Sequence, residues 1–170
     1  MQPNLTPSIL IATDHSEASY RAVTYVAQII GGREEFRILL LHVPEPMPPK
    51  LLEFGGAENP VEEQRAEMSL REGQSDWAEE AERAAQPIFA RAKAILLAAR
   101  VPESAVTTRL FIPRTEQSLD ASILDVARAE ACGTIVVGRQ SFSWLKELFQ
   151  QHIADKLLER SHDLALWIVQ

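Results

Sequence analysis

The sequence predicts an α/β protein built on a five-stranded, mainly parallel, doubly wound sheet with helices on both faces, a Rossmann-like arrangement. Three observations lead there. Short β-branched or leucine-rich runs alternate with segments of helical periodicity. The connections between successive runs are too long for hairpins, which favours crossovers between parallel strands. Several runs are apolar throughout, as expected of strands covered on both faces. At 170 residues the chain is long enough for one real core and too short for two, so residues 1–170 read as a single domain.

Residues 8–13 (SILIAT) form the first run. In the DHSEAS that follows, Asp14 or Ser16 can cap a helix whose buried stripe is Ala22, Val23, Val26, Ala27 and Ile30, stopped by Gly31 and Gly32. Residues 36–43 (FRILLLHV) are the second strand, closed by Pro44. Residues 44–60 hold five of the ten prolines, which predicts an irregular excursion; a variable surface loop is the favoured reading over a functional one. Over residues 61–100 the positions Trp77, Ala81, Ala84, Ile88, Ala92 and Ile95 share one helical face, so this is one long helix or a broken pair, with Gly73 and Pro87 as the break points.

Residues 106–112 (VTTRLFI) make a third strand, ended by Pro113. The next helix takes Ser118 as its cap, buries Leu119, Ile123, Val126 and Ala127, and stops at Gly133. A fourth strand, 134–137, ends at Gly138 and leads through a short polar segment into an amphipathic helix with Leu145, Phe149, Ile153 and Leu157 at i, i+4 spacing. Residues 164–169 (LALWIV) supply the last strand. In such a sheet the segments after strands one and four meet at a switch point, where glycine lets main chain approach a ligand and free helix N–H groups attract anions.

Composition narrows the function. The net charge is −7, and acidic residues concentrate between Glu62 and Glu82, which argues against nucleic acid and anionic lipid as partners. Cys132 is the single cysteine, so no intrachain disulfide forms and a reducing compartment is expected. The N-terminal residues lack the pattern of a signal peptide, and no apolar run approaches the roughly 20 residues of a membrane helix, so a cytoplasmic location is expected. His15, His42, His152 and His162 have no metal-site spacing, so no metal is expected. The adjacent Ser161, His162 and Asp163 cannot converge as a triad and read as a turn. Arg114 and Arg139 follow strands three and four and reach one edge, where pairing with surface acids is the default.

Three stretches carry a family resemblance: ILIATDHSEASYRAV at the start, LLLHV closing strand two, and TIVVGR followed by HIADKLLERS near the end. Together, in this order and spacing, they resemble the universal stress protein family over nearly the whole chain. The resemblance implies the adenine nucleotide alpha hydrolase-like version of the fold. It places Asp14 at the ligand-facing carboxylate, Val43 beside the adenine pocket, and Gly138, Arg139 and Ser141 in the phosphate loop. It also implies a homodimer through strand 164–169.

Nucleotide-binding members have a glycine, a second glycine after two residues, and a Gly-Ser or Gly-Thr pair after nine more. Here Gly138 is kept, Ser141 stands second, and Gln151 and His152 replace the pair. Bulky residues deny phosphate oxygens access to bare main chain, and without a glycine break Ser143 can cap a helix running uninterrupted to about Arg160. The expectation is a family member without stable ATP, acting as a homodimeric interaction module with an unidentified protein partner. Asp14 then serves the first helix's N-terminus and Val43 the core. The alternative is ATP with magnesium held by Asp14, Gly138, Arg139 and Ser141, with slow hydrolysis at most, since no general base is evident. Among other doubly wound domains, a receiver is disfavoured because LFIPRT has no acceptor aspartate, while a flavin carrier stays open through the hydroxyls and acid of TDHSEAS.

Overall fold

The computed structural model describes residues 7–52, 59–113, 117–143 and 153–170. Nine elements follow one another among them: β1 (Ser8–Ala12), α1 (Glu17–Ile30), β2 (Arg37–His42), α2 (Pro60–Ala98), β3 (Val106–Leu110), α3 (Leu119–Ala129), β4 (Thr134–Gly138), α4 (Ile153–Arg160) and β5 (Ala165–Val169). The strands form one sheet in the order β3-β2-β1-β4-β5, and every pairing is parallel. The chain therefore winds outward from β1 to β3, returns to the far side of β1, and winds outward again, which puts the switch point between the carboxyl ends of β1 and β4.

Strand periodicity divides the core in two. Ile9, Ile11, Ile38, Leu40 and Val136 face α1 and α2, where they meet Val23, Val26, Phe89 and Leu96. Leu10, Leu39, Leu41, Ile135 and Val137 face the other way, onto Ile123, Val126, Ile153 and Leu157 of α3 and α4. Consecutive residues of β1, β2 and β4 are buried on opposite faces, which is why these runs show no polar alternation. The stripe read for α1 is buried in full.

All the strands but β4 are shorter than the sequence suggests. β3 stops at Leu110, two residues before Ile112, and β2 at His42. Of the two readings left open for residues 61–100, the single long helix is the one present, α2 running over 39 residues. Pro87 lacks a donor, yet Ala81 and Ala85 before it and Ile88, Phe89, Ala92 and Leu96 after it are all buried, and packing on both sides holds the helix across it. Gly73 is a docking point: a Cβ there would lie 2.8 Å from Leu51 Cδ2, and Gln74 Nε2 donates to the Leu51 carbonyl at 2.7 Å. A short turn at Pro49–Leu51 thereby leans on an otherwise exposed stretch of helix. Among the described residues no helix is long and apolar enough to cross a membrane.

Candidate functional site

The loops leaving β1 and β4 are tied together by one carboxylate. Asp14 is buried, 2 % exposed; its Oδ1 accepts from Ser16 N at 3.0 Å and Ser16 Oγ at 2.5 Å, and its Oδ2 accepts from Phe142 N at 2.6 Å. Ser16 is the N-cap of α1, its hydroxyl accepting from Ser19 N at 3.2 Å. Ser19 Oγ in turn accepts from Asp14 N at 3.0 Å. The sequence DHSEAS thus folds as a closed set of local hydrogen bonds, with Asp14 reaching across the switch point as well.

Gly138 stands directly beside α1. A Cβ on it would lie 2.5 Å from the carbonyl carbon of Ala18 and 2.6 Å from Ser141 Oγ. The bare α-carbon is needed for strand-to-helix packing, since helix main chain already occupies the space a side chain would take. Ser141 is 3 % exposed, and its Oγ has no hydrogen-bond partner among the described residues. Phe142, buried at φ 58°, turns the chain so that its N–H meets Asp14. Arg139 is exposed and its N–H donates to the Val169 carbonyl at 2.8 Å. Val43 is core, 1 % exposed among the side chains facing α3 and α4.

Of the five residues singled out from sequence, Asp14, Gly138 and Ser141 come together, Arg139 sits at their margin, and Val43 is buried beneath. Arg114, Gln151 and His152 lie outside the described residues, as does the expected helix from Trp144 up to residue 153. Asp14 has both oxygens committed to the protein, and Gly138 faces α1. Each Asp14 oxygen already accepts at least one hydrogen bond from the protein, and the retained glycine packs against the main chain of α1, so a ribose or a metal would have to share the carboxylate with Ser16 and Phe142.

His42, weighed from sequence only as a metal ligand, lies beside them. His42 shares the strand parity of Ile38 and Leu40, so its ring falls on the α1/α2 face, the side opposite Val43. It is 8 % exposed, packs edge-on to Phe89, and its Nδ1 is 2.7 Å from the Thr13 carbonyl oxygen. A carbonyl oxygen only accepts, so Nδ1 carries the proton. Burial pushes the imidazole pKa below its ordinary value, against smaller upward pulls from Thr13 and Asp14. His42 forms part of a pocket of about 470 Å³ between α2 and the ends of β1 and β2. At its rim Arg91 pairs with Glu17 at 2.9 and 3.2 Å and lies 3.8 Å over the Tyr20 ring. The signal for it was a polar residue at the end of a doubly buried strand. Among the described residues no group of three or more His, Cys, Asp or Glu is placed to hold a metal ion.

The model of the Universal stress protein family matches residues 6–163. No curated protein matches the chain. Among solved structures, a protein of the universal stress protein family from Burkholderia pseudomallei is 16% identical at TM-score 0.56, covering 98% of this chain and 97% of that one. A universal stress protein in complex with cAMP is 15% identical at TM-score 0.59, over 96% and 95%. The universal stress protein from Archaeoglobus fulgidus in complex with dAMP is 14% identical at TM-score 0.56, over 97% and 98%. At such identities these structures establish a shared fold.

Proposed function

Since the chain belongs to the universal stress protein family, we propose that it is a stress-response protein acting as a homodimeric interaction module that does not hold ATP stably. One observation carries the nucleotide half of this reading: the Asp14 carboxylate, at the position a ligand would address, is spent on Ser16 and the Phe142 N–H. Breaking those bonds to admit a ribose or a metal would leave buried donors unpaired, a penalty of about 1–3 kcal/mol for each. The dimer half rests on β5, an edge strand whose residues are half-buried or exposed. An unpaired parallel edge invites pairing with a second copy. The proposal assigns no catalytic residue and no metal.

A second reading draws support from Ser141. Its buried, unpartnered Oγ is what an anion would satisfy, and ATP on a modified loop of Gly138, Arg139 and Ser141 would use it. Extraction of the purified protein, followed by titration with ATP and magnesium, separates the two. Stoichiometric nucleotide in the extract favours the second reading; its absence, with no saturable heat on titration, favours the first.

A further inference from the structure

The His42 pocket lies on the α1/α2 side of the sheet, away from Val43, and its chemistry differs from that of an anion site. Its α2 wall is made of Ala81, Ala84, Pro87 and Ile88, and Pro44 faces them from the loop after β2. Small or rigid apolar side chains leave a smooth surface with few groups to hydrogen-bond. Polar groups sit at the floor, at His42, and around the rim, at Asp14, His15, Tyr20, Glu45 and Arg91. With Nδ1–H committed to the Thr13 carbonyl, the neutral ring presents Nε2 as an acceptor, and Nε2 has no partner among the described residues. Asp14 and Glu45 also border the pocket and repel anions, while the nearest guanidinium, Arg91, is already held by Glu17 in both directions of its fork.

We propose that this pocket binds a small, uncharged, planar molecule that gives one N–H or O–H hydrogen bond to His42 Nε2, an N–H heteroaromatic or a phenol. The volume suits a ligand of this size. The apolar wall covers the ring, and the acceptor at His42 fixes its orientation, so a ring without a donor loses the hydrogen bond and strands the imidazole nitrogen under it. The pocket shares Asp14 with the switch point but takes its walls from α2 and the loop after β2, so its test is read at His42 and not at the β4 loop.

Indole and 1-methylindole, which differ by the donor, are the probes. Each is titrated into the full chain while the side-chain nitrogen resonances of His42 are followed by NMR. Indole is expected to shift Nε2 saturably with Kd on the order of 0.1–1 mM, and 1-methylindole to bind about tenfold more weakly. Asn in place of His42 keeps an N–H near the Thr13 carbonyl but removes the Nε2 acceptor, so H42N is expected to erase the preference for indole. Ala84 is on the exposed side of α2, so A84L fills the pocket without disturbing the core and is expected to abolish binding of both probes while the fold is unchanged. The proposal is overturned by the absence of a saturable Nε2 shift at about 10 mM indole, by equal affinity for the two probes, or by binding that survives A84L.

Discussion

Asp14 joins Ser16 to Phe142, 128 positions further along the chain, so its first effect is on stability. Replacing it with alanine leaves the buried Phe142 N–H without an acceptor and frees the α1 cap; urea unfolding should show a loss of about 2–3 kcal/mol, and Asp14→Asn a smaller one. Gly138→Ala puts a Cβ against the Ala18 main chain, which cannot yield as a side chain would, and should cost about 1–3 kcal/mol. Gly32→Ala, whose Cβ would be 3.7 Å from its nearest neighbour, should change stability by less than about 0.5 kcal/mol. For His42, burial lowers the folded-state pKa beneath the ordinary 6.5, so the unfolded chain binds the proton more readily. The neutral ring's contribution is complete above about pH 6.5 and is lost as the pH falls from there through the folded-state pKa. Thermal melts of the wild type and of His42→Asn should diverge in their pH dependence across that window, the variant being flatter. At this scale the sequence identified which residues meet at the switch point but not what they face. A glycine that admits a ligand and one that admits a neighbouring helix look alike in one dimension, and the Ser16 and Phe142 bonds to Asp14 depend on a contact 128 positions away.

Among the described elements, strands and helices were legible in order because their periodicities follow directly from burial on one or two faces. Their ends were not, since a strand stops where its neighbour stops pairing: β3 ends at Leu110 opposite His42, the last residue of β2. Sequence left α2 open between one long helix and a broken pair, because Gly73 and Pro87 are breakers by local propensity and only tertiary packing decides between the two. A prediction follows at Gly73. Alanine there gains helix propensity of about 0.5–1 kcal/mol, and the atom in its way, Leu51 Cδ2, is the movable end of a side chain. Gly73→Ala should therefore raise the urea midpoint slightly while leaving the α-helical circular dichroism intact; a lowered midpoint would mean that the Pro49–Leu51 turn cannot shift.

On the scale of the whole molecule, β5 is one of the two edges of the sheet β3-β2-β1-β4-β5, and the proposed dimer joins there. Ile168 is 38% exposed there, and Ile168→Asp places a charge in the proposed seam. Sedimentation should report a dimer for the wild type and a monomer for the variant; a wild-type monomer at micromolar concentration would remove the dimer from the proposal. The proposed function stands or falls on whether the switch point holds a nucleotide stably. Calorimetric titration of the purified chain with ATP and magnesium, after any small molecule carried through purification has been extracted and identified, tests it most directly. No nucleotide in the extract and no saturable heat is the outcome expected when Asp14 is committed to Ser16 and Phe142. One equivalent of bound nucleotide, or a submicromolar affinity abolished by Asp14→Ala, would contradict it.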